Sequence, residues 1–336
     1  MRTVTGGWLR RVLAVVIAGG AMAGASMLGG CSTNPATGET SLALMSWDWE
    51  RSVALEAGPQ FTEEYGGETP DTVAQAYVDE VGQKLTSAAL EQAYASVPEL
   101  DWSYTLLDSE VINAFALPGG KVYFSRGLAA KLENEAQLAG VLGHEVGHVM
   151  ARHGNQRITK QVGFNVLLAG AAVAVGAAGD DSDAARAAGA ALPALAVGGN
   201  VVLLSYGREE EMEADSLGMQ YMSSVGYDPA AQRRVMEILQ AESGGNAPPE
   251  WLSTHPASET RIRRINQLLE EKYSHTQGSA EHGVYAEAYK KRMLDRLRAL
   301  PAPRHGATQA RGERFDLSRP VTWCAHCASV ELAAAN

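Results

Sequence analysis

The chain has 336 residues, 46% of them hydrophobic, and its 39 acidic residues outnumber 28 lysines and arginines to give a formal net charge of −11. That length and composition fit one long folded domain with extensions and no internal repeat. A surface of this sign repels phosphate backbones and anionic headgroups, which excludes nucleic acid and charge-driven membrane binding.

At the N-terminus Arg2, Arg10 and Arg11 precede an uncharged apolar stretch, Val12 to Leu28, which runs into Leu28-Gly29-Gly30-Cys31. A charged flank, a short apolar region and small residues before a cleavage point read as a secretory signal over residues 1–30 rather than a spanning helix. The Leu-small-Gly-Cys box is similar to bacterial lipoprotein signals, in which Cys31 becomes the lipidated first residue, and Ser32 in place of Asp suggests outer-membrane sorting. The expected location is therefore the periplasmic side of the outer membrane, lipid-anchored at Cys31. Loss of residues 1–30 removes three arginines and no acid, leaving 25 basic against 39 acidic residues. The acyl chains must then hold the membrane, each buried methylene contributing about 0.8 kcal/mol.

Further along, Thr69-Pro70-Asp71 caps a predicted helix with Val73, Tyr77, Val81 and Leu85 as its apolar positions. Trp102 to Leu107 and Lys121 to Ser125 read as strands, with Val111 to Leu117 between them and Pro118-Gly119-Gly120 as a turn. The run Glu133 to Arg152 then carries apolar residues at Leu138, Val141, Leu142, Val146 and Val149, the spacing of a helix buried along one stripe.

Within that helix stand His144-Glu145-Val146-Gly147-His148. Positions i and i+4 share a helix face, so both imidazoles reach one ion while Glu145 is held beside it. The pattern points to zinc-assisted hydrolysis of peptide bonds, with the carboxylate taking a proton from the attacking water. A catalytic zinc takes three protein ligands, and the helical pattern from Arg208 to Ser224 supplies the third from Glu209-Glu210-Glu211-Met212-Glu213-Ala214-Asp215. Glu211 and Asp215 are again i and i+4, so that Glu211 binds metal while Asp215 accepts a hydrogen bond from a ligand imidazole. Glu209, Glu210 and Glu213 read as a solvated face. His153, five residues past His148, falls about 500° round a continuous helix and off the ligand face, and reads as structural.

The Ala/Gly-rich stretch 162–206, interrupted by Asp180-Asp181-Ser182-Asp183, reads as a soluble or interfacial helical hairpin, because Val162 to Gly179 is marginal for spanning a membrane. Tyr285 to Leu300 is a predicted helix, and Pro301 to Asp316 a loose segment. Cys324 and Cys327 form half a zinc site at most, and a disulfide is the default in an oxidising compartment.

Four motifs occur in order: Asn113-Ala114-Phe115-Ala116-Leu117-Pro118-Gly119-Gly120, His144 to His148, Arg208 to Asp215, and Thr254-His255-Pro256 followed by Arg261-Ile262. On these the chain resembles the HtpX-like zinc metallopeptidases, relatives of the CAAX prenyl endopeptidases, and within them a bacterial outer-membrane lipoprotein branch similar to BepA and LoiP. Ser32 to Ser46 resembles the short leading segment of that branch. The resemblance implies one Zn2+ per chain held by His144, His148 and Glu211, with Glu145 as base and Asp215 as proton donor or outer-shell residue. It also implies His255 as an extra, regulatory metal ligand, where a turn histidine is the plainer reading, and Asn113, Ala114 and Phe115 as a substrate-binding sheet edge.

The fold class expected is α+β of zincin type, mostly helical with a small antiparallel sheet beside the metal helix. Residues 1–30 would be signal, 31–275 the zinc metallopeptidase domain and 276–336 an extension of no assigned role. The expected function is an envelope endopeptidase for misfolded or stalled proteins, with polypeptide substrates and outer-membrane assembly machinery as partners. The alternatives are a non-catalytic assembly factor or chaperone with a structural zinc, and zinc hydrolysis of a non-peptide bond.

Overall fold

The computed structural model describes residues 31–163, 205–244, 249–256 and 259–304. The expected signal over 1–30, nearly all of the 162–206 hairpin, and the tail with Cys324 and Cys327 lie outside the described residues.

Strands β1 (Cys31–Thr33) and β2 (Thr40–Leu42) form an antiparallel hairpin. Helix α1 (Trp47–Glu64) follows, its first turn satisfied by the Ser46 side chain accepting the Trp49 N–H. Helix α2 (Thr72–Glu91) starts at the expected cap, where Asp71 accepts the N–H groups of Val73 and Ala74, and it buries Tyr77, Val81 and Leu85.

The sheet comprises β3 (Ser103–Leu107), β4 (Ala114–Leu117) and β5 (Lys121–Ser125) in the order β3-β5-β4. A turn through Gly119 (φ 94) and Gly120 (φ 96) joins β4 to β5 as an antiparallel hairpin. β3 joins β5 in parallel, so the expected small sheet is mixed rather than wholly antiparallel. The outer edge of β3 is blunted by Gln75, whose side-chain amide donates to Tyr104 O (2.6 Å) and accepts from Leu106 N (2.7 Å). The other edge belongs to β4.

After the short α3 (Arg126–Ala129), helix α4 (Glu135–Met150) carries the paired histidines, N-capped by Asn134. The sequence suggests burial along one stripe, yet every residue of α4 is buried. Helix α2, strand β4, α6 (Arg208–Ser224) and α7 (Ala230–Ser243) pack around it. Such enclosure needs small residues: Gly143 and Gly147 face Ala214 and Gly218 of α6 at backbone contact.

Between them the chain turns at Arg152 (φ 57) and becomes helical again over 153–163 (α5). Arg152 is fixed by its Nε donating to Glu50 Oε1 (2.9 Å), by Met45 O, and by Trp47 under its guanidinium.

Helices α8 (Trp251–Thr254) and α9 (Glu259–Glu271) return over the centre. The expected helix at Tyr285 to Leu300 is three contiguous pieces, Ala286–Tyr289, a π-turn Lys290–Leu294 and Asp295–Ala299. Tyr289, Met293 and Leu297 enter the same apolar core as α4, so these residues are built into the body that holds the site. No described helix is long and apolar enough to cross a membrane.

Candidate metal centre

Helical spacing places His144 and His148 on one face of α4, their Nε2 atoms 3.0 Å apart. Opposite them, α6 presents Glu211 with Oε1 at 3.5 Å from His148 Nε2 and Oε2 at 3.6 Å from His144 Nε2. His255, at the end of α8, brings a fourth donor, and one atom from each of the four residues lies within 4.8 Å of the others.

Two bonds of 2.0–2.1 Å at a tetrahedral angle separate their donor atoms by about 3.3 Å, close to the 3.0, 3.5 and 3.6 Å found among His144, His148 and Glu211. Glu211 Oε1 and His255 Nε2 are buried and make no hydrogen bond, an expensive condition for polar atoms unless an ion takes them. The donor set of imidazoles and a carboxylate, with orphaned atoms aimed at one point, fits zinc.

The protonation of the imidazoles favours the same occupant. Burial, with the neighbouring His144, lowers His148 and His255 well below the ordinary imidazole range, which keeps both neutral. Burial pushes Glu211 up to about 8 against the pull of Arg261, whose Nη1 is 2.5 Å from Glu211 Oε2. Glu145 is fully buried, points Oε1 at the Trp251 indole N–H (3.3 Å), and leaves Oε2 without a partner. Burial raises its carboxyl to about 7, opposed by His144 and that indole.

Around the donors lies a shell of oriented polar groups. Asp215 Oδ1 accepts from His144 Nδ1 (3.0 Å) and from Gln232 Nε2 (3.0 Å), and both of its oxygens take a nitrogen of Arg261 at 2.7 Å. Burial works against its ionisation, but Arg261 and the imidazole hold the carboxyl well below its ordinary value. Arg261 stood in a motif without a role. Its signal was available, since Arg261, Ile265, Leu268 and Leu269 share the buried stripe of α9, where a cation must find a carboxylate.

Three sequence expectations need correction. His153, expected off the ligand face, is no metal donor but is not remote from the site either: its Nδ1 is 2.8 Å from His148 Nδ1, because the chain breaks helix at Ala151 and Arg152 before resuming. Glu213 is not merely solvated, since Asn34 Nδ2 donates to it at 2.8 Å and His153 Nε2 lies 3.7 Å away. Glu210 is half-buried, pairs with Lys160 at 2.7 Å and accepts the Gly207 N–H, which begins α6.

Aromatic rings cover the donors. Tyr206 stacks on His148 (3.8 Å between centroids) and Trp251 on His255 (4.7 Å). Of the expected substrate edge, Ala114 and Phe115 lie in the edge strand β4, while Asn113 just precedes it and is buried. Its side-chain amide donates to Tyr65 Oη (3.1 Å) and Glu250 Oε1 (2.9 Å). The Trp251 N–H donates to Ile112 O (3.2 Å), so the 249–256 segment is tied to this edge.

The model of Peptidase family M48 matches residues 73–269, which span every donor above. Mitochondrial metalloendopeptidase OMA1 of Schizosaccharomyces pombe is 32% identical over 236 residues, 68% of this chain and 63% of that protein. Beta-barrel assembly-enhancing protease of Escherichia coli (strain K12) is 30% identical over 225 residues, 64% of this chain and 44% of that one. A putative beta-barrel assembly-enhancing protease of Vibrio cholerae is 30% identical over 197 residues, 57% of this chain and 38% of that protein. The chain thus spans less than two thirds of the length of these relatives. With the family resemblance of the four motifs borne out over more than half its length, the chain belongs to peptidase family M48.

Proposed function

We propose that this chain is a zinc endopeptidase, one ion per chain, that cleaves misfolded or stalled polypeptides in the bacterial cell envelope. The observation that carries the hydrolytic part is a carboxylate outside the donor set: Glu145 sits buried beside His144, His148 and Glu211 with one oxygen unpartnered. When bound, zinc supplies Lewis-acid polarisation of a scissile carbonyl and acidifies the attacking water.

His144, His148 and Glu211 would hold the ion, and the neutral state of His148 suits it to that task. Asp215 accepts the His144 Nδ1–H and so turns Nε2 toward the ion; kept ionised by Arg261, it orients rather than donates a proton. Glu145, raised to about 7, takes a proton from the attacking water near neutral pH and returns it to the leaving amine. The β4 edge beside α4 receives an extended polypeptide by strand addition.

His255 gives the centre a fourth protein donor, the arrangement of a closed zinc site. That observation favours a second reading, a non-catalytic assembly factor with a structural zinc. Glu145 weighs against it, because a structural site has no use for a buried carboxylate outside the donor set with one oxygen left unpartnered. In the catalytic reading His255 would have to leave the donor set for a coordination position to be open to water. His255→Ala then keeps zinc and raises turnover, whereas unchanged zinc binding and turnover would remove it from the site.

Envelope placement rests on the Cys31 lipobox, and the names of two relatives lend support by coupling protease to beta-barrel assembly. Polypeptides and outer-membrane assembly machinery are the partners this suggests, with no role for nucleic acid. Fatty-acid labelling of wild type but not of Cys31→Ala tests the anchor. Metal analysis with casein digestion tests the chemistry: one zinc per chain and cleavage abolished by chelator are expected. Glu145→Gln should keep its zinc and lose activity by about 10²–10⁴-fold. Full activity in Glu145→Gln would leave the structural-zinc reading in its place.

A further inference from the structure

His148 offers Nε2 to the metal, so its proton must sit on Nδ1. That N–H meets His153 Nδ1 at 2.8 Å, which can accept only if the proton of His153 is on Nε2. Nε2 of His153 faces Glu213 Oε2 across 3.7 Å, beyond hydrogen-bond reach and without another partner, and the other oxygen of Glu213 accepts from Asn34 Nδ2 at 2.8 Å. Asn34 is itself set by its Oδ1 accepting the Ala36 N–H at 2.9 Å. The His148 N–H points outward to His153, and the Asn34 amide donates inward to Glu213, so the carboxylate of Glu213 faces both. His144 is oriented by a carboxylate directly, His148 through a second imidazole.

We propose that His153 is the positioning residue of the metal ligand His148, fixing its tautomer through the Nδ1–Nδ1 hydrogen bond, with Glu213, held by Asn34, on its far side. The inference rests on the zinc reading above. It has a consequence for the N-terminal segment: Asn34 lies in the turn between β1 and β2, so the seating of that hairpin reaches the second metal ligand through three side chains. His153 and Asn34 are both buried, and bulk water does not replace either partner.

The test uses zinc affinity of the purified protein by chelator competition, together with the visible absorption of the cobalt-substituted protein and the melting temperature of the metal-free form. Asn places its Oδ1 where the Nδ1 of His153 stands, and Gln places its amide near Nε2. His153→Leu and His153→Gln are expected to weaken zinc about 10–100-fold and to shift the cobalt bands, the usual consequence of losing an outer-shell partner. His153→Asn should stay near wild-type affinity. Asn34→Ala and Glu213→Gln should weaken zinc by a smaller factor in the same direction.

Wild-type affinity in His153→Leu would overturn the proposal, as would equal loss in the Leu and Asn variants with parallel drops in metal-free melting temperature, the mark of packing alone. A wild-type protein that binds no zinc would instead remove the metallopeptidase reading beneath it.

Discussion

Gly218→Ala tests how the two halves of the metal centre are brought to one point. An added Cβ at Gly218 would lie 2.9 Å from His144 N, 3.1 Å from Gly143 C and 3.3 Å from His144 Cα, all backbone atoms of α4. Ordinary carbon contacts are about 3.5–4.0 Å, so α4 and α6 must part by roughly 0.5–1 Å. Glu211 rides on α6 and His144 is the residue struck, so the separation falls across the donor set. Overpacking costs about 1–3 kcal/mol, and replacing a mid-helix Gly by Ala returns about 1 kcal/mol. Metal-free stability should therefore fall by about 0–2 kcal/mol while zinc affinity falls more steeply, since ligand geometry has no such offset. Denaturant midpoints of the metal-free protein and chelator competition measure the two terms separately. Gly244→Ala, which meets nothing within 4 Å, serves as the control. A Gly218→Ala protein with unaltered zinc affinity, stabilised like any good helix substitution, would refute close backbone contact as the device that assembles the site.

Arg261→Ala strips Asp215 and Glu211 of their shared cation in a buried position, a loss of about 3–5 kcal/mol. Zinc restores part of the missing positive charge, so denaturant midpoints should drop further without metal than with it; equal drops would contradict this. Asp71 caps α2 and pairs with Arg296, and although burial opposes ionisation, those partners lower its carboxyl. A lowered folded value means stability that is complete above the ordinary carboxyl value of about 3.9 and fades as acid protonates the folded state below it. Asp71→Ala should therefore cost about 1 kcal/mol at pH 7 and much less near pH 2, measured by urea unfolding at both. Glu135, at the start of α4, accepts from Tyr77 Oη (2.5 Å) and Tyr227 Oη (2.6 Å). Tyr77→Phe and Tyr227→Phe should each lower stability by about 1–3 kcal/mol and should not add when combined; strict additivity would show that the shared carboxyl is not the link.

What the sequence revealed of this centre was whatever is local to one unbroken helix. His144 with His148, and Glu211 with Asp215, are i and i+4 pairs, and helix geometry alone fixes which way they face. His153 escaped the same arithmetic because its premise failed: α4 ends at Met150, Arg152 takes φ 57, and the next helix starts at residue 153, which folds the ring back onto His148. The acidic run misled for a related reason. Composition says that consecutive glutamates are solvated, but Lys160, His153 and Asn34, remote in sequence, claim Glu210 and Glu213.

The parallel pairing of β3 with β5 was hidden because a strand pattern carries no partner, and the chain places β4 between them in sequence but outside them in space. Helix α1 left only a weak apolar stripe, with Pro59 inside it, and was not expected from the sequence. The residues least legible are thus those that act between elements. They are also the ones that decide whether two locally specified pairs become one centre: Gly218 sets the distance between the helices, Arg261 balances the two carboxylates, and His153 fixes the second imidazole. A sequence that kept both i and i+4 pairs but lost these three would keep the motif and lose the site.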